Sequence, residues 1–459
     1  MSPSSWSPRR LVLALLPVFV VGCAGGIDAA IDAADQERLE LGEALATAID
    51  DRAGGRAGLT QPVALADIPA DPANPITEAK VELGQLLFHD TALAVAGVDE
   101  SLSHTYSCAS CHQVAAGFKA GIDQGIGEGG DGFDDVRIVI DGFDDPDVQP
   151  FASPTIINTA FQDVMLWNGQ FGNADGSVNH TVDLDRLATD ETPKATNLLG
   201  YEGVETQAIA GLGVHRLTGQ ANDALLSDGY QGLLAAAFPG EFPAPRGGAP
   251  VFPTDEQLGL AIAAYERTVI ATESPFQRWL RGERRAMSPE ELRGALVFFG
   301  PAGCADCHTG PGLSSPVDSV HASELFQAVG FADLDDAGRD GPAFLGTITD
   351  ADRLGRGGLT GEAADAYAFK VPTLYNLADA EHFGHGASFD SIGAVVDYFL
   401  AALPQNTAAA EALDPRFVAR PLSTEQRSDL IAFLTTGLHD PSLDRFVPEG
   451  WPDVPVTPG

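Results

Sequence analysis

The chain has 459 residues, which is long enough for two or three domains with a sizeable core. It carries 65 acidic against 26 basic side chains, a formal net charge of −39. Such a charge excludes nucleic acid as a partner and favours association with a small basic protein, although an acidic solvated surface would explain it equally well.

The first 22 residues have the features of a signal peptide. Arg9 and Arg10 precede an apolar run from Leu11 to Val21, and this run is shorter than the about 20 residues that span a membrane. The run ends in Val-Val-Gly followed by Cys23, which resembles a bacterial lipobox, in which the cysteine is acylated. We therefore predict a protein on the periplasmic side of a bacterial envelope, anchored by lipid on Cys23. An ordinary secretory leader is the alternative.

Residues 23–75 are rich in Ala, Gly and Asp and contain one short amphipathic patch, Gln36 to Ile49. This composition predicts a tether or a loosely packed helix.

Two similar helices are predicted, each upstream of a cysteine motif. Thr77 is a candidate N-cap for a helix that runs to Phe88. Ser288 begins the second helix with Pro at N1 and a glutamate at N3, the pattern of a capping box. Aligning Gly84 with Gly294 superposes the apolar residues that follow, which indicates an internal repeat.

Each predicted helix is followed by a Cys-x-x-Cys-His motif. In such a motif the two thiols can form thioether bonds to the vinyl groups of a haem, and the histidine can bind its iron. A zinc ribbon would bring its second cysteine pair back within about 20 residues, and a redox dithiol has no use for the histidine. The sequence therefore predicts two covalently bound c-type haems, attached through Cys108, Cys111 and His112 and through Cys304, Cys307 and His308.

Two further helices complete the prediction of a mainly α fold. They span residues 254–272, with Thr254 and Gln257 as a capping box, and 423–438. Long Gly/Pro/Asp-rich loops lie between the haem motifs. We predict two cytochrome c-like haem domains at 76–285 and 286–440, joined by these loops, and a tail at 441–459.

Local motifs resemble those of the bacterial di-haem cytochrome c peroxidases and their MauG-like relatives, over most of the mature chain from about Leu83 to Leu434. The first reads Leu-Gly-x-x-Leu-Phe-x-Asp and a later one Ser-Pro-Thr-x-x-Asn, both in the family's order. The motifs are Leu83–Asp90, Ser153–Asn158, Trp167–Gln170, Ser274–Phe276, Asp336–Arg339, Phe369–Leu374 and His385–Gly386.

This resemblance implies a role for each haem. The haem on His112 would reduce hydrogen peroxide, and the haem on His308 would accept electrons from a small donor such as a cytochrome c. Trp167 would lie between the haems, although a core aromatic residue is an equally good interpretation. Asn158 would contribute to a Ca²⁺ site at the domain interface. Homodimers are usual in the family, and a single tethered molecule is equally compatible with the sequence.

The chain departs from the family pattern around the first haem. Many of these peroxidases carry a histidine after the first haem motif that caps the iron, but residues 113–137 contain none. The first iron is therefore expected to be five-coordinate. The family uses a distal Gln and a Glu about ten positions later; here Gln207 supplies the first, and His215 is our candidate acid/base, with Glu205 as runner-up. A structural hydrogen-bonded role for His215 is the alternative.

The second haem also departs from the pattern. Phe399, which cannot bind iron, occupies the position of the family's axial Met or Tyr. Tyr398 is one residue away and is our candidate ligand; His382, His385 and His321 are the alternatives.

Three functions follow from these observations. The first is a di-haem peroxidase that reduces hydrogen peroxide with electrons from a small redox protein. The second is a MauG-like oxidase that acts on a protein or small-molecule substrate. The third is a membrane-tethered electron carrier without peroxide chemistry, which requires two six-coordinate haems.

Overall fold

The computed structural model describes residues 24–132, 137–172, 193–242, 251–315, 322–336 and 345–449. The predicted signal peptide, Cys23 and His321 lie outside these ranges. Within them the fold is mainly α, as predicted, with three short antiparallel strand pairs.

The α-helices of these ranges are numbered in chain order. They are α1 (Ala24–Ala53), α2 (Glu78–His89), α3 (Gly203–Val214), α4 (Asp228–Ala237), α5 (Asp255–Thr268), α6 (Pro275–Leu280), α7 (Pro289–Phe298), α8 (Asp350–Arg353), α9 (Arg356–Thr360), α10 (Ile392–Ala401) and α11 (Thr424–Ala432). The strand pairs are β1 (Gly130–Asp131) with β2 (Ile138–Val139), β3 (Val164–Met165) with β4 (Phe171–Gly172), and β5 (Phe326–Gln327) with β6 (Phe369–Lys370).

The helix preceding each cysteine motif crosses a partner helix through a glycine. A Cβ on Gly84 of α2 would lie 1.9 Å from the carbonyl oxygen of Ala261 on α5. A Cβ on Gly294 of α7 would lie 1.9 Å from the carbonyl oxygen of Asp429 on α11. Only glycine allows backbones to approach this closely. The predicted alignment of these two glycines, and with it the internal repeat, is therefore confirmed.

The predicted helix starts are confirmed, but two predicted ends lie too far along the chain. The Thr77, Thr254, Ser288 and Ser423 hydroxyls all accept the expected backbone N–H bonds. Helix α5 ends at Thr268 rather than at residue 272. Helix α11 ends at Ala432 rather than at residue 438, and a separate π-helical turn follows it over Phe433–Gly437.

Of the two alternatives predicted for residues 23–75, a tether or a loosely packed helix, the described part contains a helix, and this helix is packed against the rest of the chain. Helix α1 packs against α7, and its Leu45 and Ile49 side chains are fully buried. The Arg38 side chain donates to the carbonyl of Met287, and Arg52 pairs with Asp306. These apolar and ionic contacts fix the segment to the half of the molecule that carries the second cysteine motif. Among the described helices, none is long and apolar enough to cross a membrane.

Candidate haem sites

The two cysteine motifs adopt the same local structure. Short 3₁₀ turns at Cys108–Ser110 and Cys304–Asp306 present the thiols, and each following histidine donates its backbone N–H to the carbonyl of the first cysteine. All four cysteines are free thiols. Burial raises the pKa of both Cys108 and Cys304 to about 12. The thiols are therefore protonated in the folded chain.

Each motif histidine is oriented by a backbone carbonyl. His112 Nδ1 lies 3.2 Å from the Phe118 oxygen, and His308 Nδ1 lies 2.8 Å from the Leu313 oxygen. A proton on Nδ1 satisfies each contact and leaves Nε2 free to bind iron. Burial lowers the pKa of both histidines to about 4, which keeps them neutral.

The carbonyls that orient the histidines belong to residues with an unusual backbone. Phe118 (φ 55°) and Leu313 (φ 48°) are both fully buried in the left-handed region, which bulky residues rarely adopt. Phe118 is six residues after His112 and Leu313 is five residues after His308, so both sites orient the histidine through a left-handed residue, at positions that differ by one. The sequence carries no signal for this conformation, because neither position is a glycine or an asparagine.

The residues present fit a covalently attached haem at each motif. Two buried thiols, a neutral histidine with a free Nε2 and apolar surroundings are the groups that hold a c-type haem. At the second motif, a cavity is lined by Cys304, Cys307 and His308 and by apolar side chains that include Val396 and Phe399.

His215 lies near the first motif at the C-terminus of α3. Burial is the main cause that lowers the pKa of His112, and the charge of His215 lowers it further. The His215 side chain is 39% exposed. Gln207 lies on the same helix. Its amide nitrogen is 3.5 Å from the position that a Cβ on Gly211 would occupy, and Gly211 is one turn before His215. Gln207 and the C-cap residue His215 therefore belong to the same helix and are two turns apart.

The structure adds a partner for His215 that the sequence did not reveal. His215 Nδ1 lies 2.9 Å from Oδ2 of Asp147, a carboxylate that is 4% exposed. Burial lowers the pKa of His215, but the carboxylate of Asp147 more than offsets this and the net shift is upward. A Cβ on Gly127 would lie 2.0 Å from Asp147 Oδ2, so glycine is required there. Asp147 is 68 residues from His215 in the chain, and no sequence pattern connects the two.

Glu205, the alternative candidate for the acid/base, forms an ion pair with Arg267. Both of its oxygens accept hydrogen bonds from Arg267, at 2.8 and 2.6 Å, and both side chains are buried. A carboxylate held in a buried ion pair is poorly placed to exchange protons with a substrate. This geometry favours His215 over Glu205 as the acid/base.

Trp167 lies beside the cavity of the second motif. Its indole Nε1–H donates to the carbonyl of Ala152 at 2.8 Å, and its ring centre is 6.3 Å from that of His385. The residue lines the cavity together with residues that follow the first motif, such as Lys119. This position is compatible with the predicted location between the haems, and the bridging role stays a prediction.

The geometry does not favour Tyr398 as the ligand of the second haem. The Tyr398 hydroxyl donates to the carbonyl of Val329 at 2.5 Å. Tyr398 itself does not line the cavity, and its ring packs behind Phe331, which does. Phe399 lines the cavity instead. His385 also lines it, but its Nε2 is 3.1 Å from Asp333 and its ring stacks on Phe369 at 3.6 Å. His382 pairs with Asp123 at 2.8 Å, away from the cavity lining.

The surroundings of Asn158 do not fit a calcium ion. Its Oδ1 accepts hydrogen bonds from the Gln61 amide at 3.1 Å and from the Ala271 N–H at 3.3 Å, while its Nδ2 donates to Thr373. Calcium is bound by six to eight oxygens, whereas here N–H donors face the asparagine oxygen. The described residues contain no group of three or more His, Cys, Asp or Glu side chains that could hold a metal ion.

Comparisons with known proteins agree with this arrangement. Residues 78–285 match the family model described as di-haem cytochrome c peroxidase. The chain is 26% identical to the methylamine utilization protein MauG of Methylorubrum extorquens over 92% of this chain and 91% of that protein. It is 25% identical to the cytochrome c551 peroxidase of Pseudomonas aeruginosa over 70% and 72% of the respective chains. The fold is similar to that of a MauG-like protein associated with microbial copper homeostasis, with a TM-score of 0.59, 24% identity, and coverage of 85% and 99%.

Proposed function

We infer that the chain belongs to the di-haem cytochrome c peroxidase family, and on this premise we propose that it reduces hydrogen peroxide to water with electrons from a small periplasmic cytochrome c or similar donor. Two c-type haems are the cofactors of this oxidoreductase family. The observation that carries the proposal for this chain is the His215–Asp147 pair near the first haem motif, since peroxide cleavage needs a group that moves a proton.

The chain's own residues supply the proton transfer. When bound, the first haem provides the iron that takes up peroxide and electrons for cleavage of the O–O bond. Asp147 accepts a hydrogen bond from the Nδ1–H of His215, which leaves a lone pair at Nε2. Nε2 takes the proton of the near peroxide oxygen and returns it to the leaving oxygen, while the Gln207 amide donates to the peroxide and orients it. Two electrons and two protons thereby convert one peroxide into two waters.

The two haems have different roles in this proposal. The N-terminal domain, 76–285, holds the peroxidatic haem on His112, and the C-terminal domain, 286–440, holds the electron-accepting haem on His308. Trp167 carries electrons between them, which its place beside the second cavity supports. The acidic chain, with a net charge of −39, would attract a basic donor.

A second candidate is MauG-like oxidation of a protein or small-molecule substrate. The similarity to the MauG protein of Methylorubrum extorquens over 92% of this chain favours it. The third candidate, a pure electron carrier, has no use for a histidine–aspartate pair beside the first motif.

The experiment that tests the proposal combines haem counting with turnover. Mass spectrometry of the exported protein should find two thioether-linked haems, and the oxidised protein should show a high-spin component. Peroxide should then oxidise a reduced basic cytochrome c in the presence of the enzyme. Two low-spin haems and no peroxide turnover would indicate that the protein is an electron carrier. Peroxide consumption without oxidation of any small cytochrome would favour the MauG-like reaction.

We further propose that the protein is lipid-anchored through Cys23 on the periplasmic side, where members of this family reside. The support is the lipobox-like sequence alone. Cys23→Ser should move the protein from the membrane to the soluble fraction without changing its haem content. A Cys23→Ser protein that sediments with membranes would contradict the anchor.

Calcium binding at Asn158 and a homodimer stay predictions from the family resemblance. The hydrogen bonds that Asn158 Oδ1 accepts do not support calcium binding at this residue. A chelator should therefore leave the unfolding temperature unchanged, and a fall in that temperature would restore the calcium prediction. Sedimentation of the soluble Cys23→Ser variant measures its oligomeric state.

A further inference from the structure

Two lysines line the cavity of the second haem motif. Lys119 lies in the loop that follows the first motif, and its ammonium donates to the carbonyl of His382 at 2.5 Å and lies 5.4 Å from the ring centre of Phe383. Lys370 is on β6; its ammonium donates to the side-chain oxygen of Gln162, and its backbone N–H donates to the Trp167 carbonyl at 2.8 Å. The two cations thus enter one cavity from distant parts of the chain.

Neither lysine has an anionic partner within the described residues. Each ammonium donates only to a neutral oxygen. Withdrawal from water lowers the pKa of each lysine to about 8. At neutral pH both would still be mostly protonated. Both side chains are half-buried, and withdrawing a cation from water is costly unless an anion pairs with it. The buried cation Arg267, in contrast, is paired with Glu205. The cavity therefore holds two positive charges that the surrounding chain does not neutralise.

We propose that Lys119 and Lys370 bind the two propionate groups of the second haem. The cavity that they line contains the cysteines and the histidine that would attach this haem. A haem carries two carboxylates, so two lysines match it in number and in charge. If the lysines were axial iron ligands instead, the one free axial position opposite His308 could take only one of them. The proposal rests on haem attachment at the second motif, but not on peroxide as the substrate.

This arrangement would tie the second haem to both halves of the molecule. Lys119 follows the first haem motif, whereas Lys370 follows the second, and Lys370 is bonded through its backbone to Trp167. The propionate edge of the second haem would then face Trp167. The two ammonium groups would also favour the reduced haem, because adding an electron next to a positive charge is favourable.

The test measures the reduction potentials of both haems by spectroelectrochemistry in charge-removing variants. Lys119→Met and Lys370→Met should each lower the equilibrium constant for reduction of the second haem about tenfold, equivalent to ~59 mV for one electron. The potential of the first haem should change less. Lys119→Arg and Lys370→Arg keep the charge and should largely restore the potential. Lys194→Met removes the same charge outside the cavity and should leave both potentials unchanged.

Three outcomes would overturn the inference. The first is that both Met variants carry two attached haems and show an unchanged reduction potential for the second haem. The second is an Arg variant that behaves like the Met variant. The third is a change of the second haem from low to high spin in one variant alone, which would assign that amine as an axial ligand. If the Met variants fail to accumulate, Lys119→Gln and Lys370→Gln give the same comparison. Absence of peroxide turnover in the unsubstituted protein, together with the predicted shift in potential in the variants, would count against the proposed function alone.

Discussion

Replacing His215 by alanine should slow peroxide cleavage by about 10² to 10⁴-fold, the usual contribution of a group that transfers a proton. The haem content should not change, because His215 lies outside both haem attachment motifs. Stopped-flow mixing of the variant with peroxide measures the rate, and mass spectrometry measures the haem content. Glu205→Gln is the comparison: if Glu205 rather than His215 moves the proton, this variant should lose as much activity as His215→Ala.

The pH dependence of the same rate should identify the role of Asp147. His215 can accept a proton at Nε2 only when it is neutral, so the rate should fall as the pH drops below the His215 pKa. Asp147 raises that pKa against the effect of burial. Asp147→Asn removes the carboxylate, so the fall in rate should move to lower pH. A purely structural Asp147 would change the maximal rate or the stability but would leave the pH midpoint in place.

Replacing Gly84 by alanine should destabilise the fold by about 1–3 kcal/mol, the typical cost of overpacking a helix contact. The added Cβ would lie 1.9 Å from the carbonyl oxygen of Ala261, so α2 and α5 would have to separate. Gly294→Ala should have a similar effect, since its Cβ would meet the carbonyl of Asp429 at the same distance. Thermal or chemical denaturation of the haem-loaded protein measures the change.

Gly213 on α3 offers a matched control. It is exposed, and a Cβ there would meet nothing within 4 Å. Gly213→Ala should therefore be neutral or slightly stabilising, because alanine is the better helix former. Equal stability of the Gly84→Ala and Gly213→Ala variants would contradict the close helix contact.

The features that the sequence predicted correctly are local in the chain. A haem motif spans five residues, and a capping box spans four, so both can be recognised without knowledge of the fold. The alignment of Gly84 with Gly294 succeeded because two copies of one pattern reinforce each other. The choice of His215 rested on a missing carboxylate in a short, aligned segment, and the structure places it near His112.

The features that the sequence did not predict depend on contacts between distant residues. A tether or a loosely packed helix at 23–75 was inferred from composition, which could not show that this helix buries Leu45 and Ile49 and packs against α7, more than two hundred residues away. Asp147 reaches His215 only in the folded chain. Tyr398 was chosen by its position in an alignment, and the side-chain direction on α10 turns its hydroxyl to Val329 instead.

The open first haem is the central claim, and rapid mixing of the fully oxidised protein with peroxide tests it most directly. Residues 113–137 contain no histidine that could cap the iron. The two haems together can supply the two electrons that cleavage requires. We therefore expect the absorption spectrum to change at once, without any reductant. A spectrum that stays unchanged until a reductant is added would show that another residue caps the first iron, and would contradict this account.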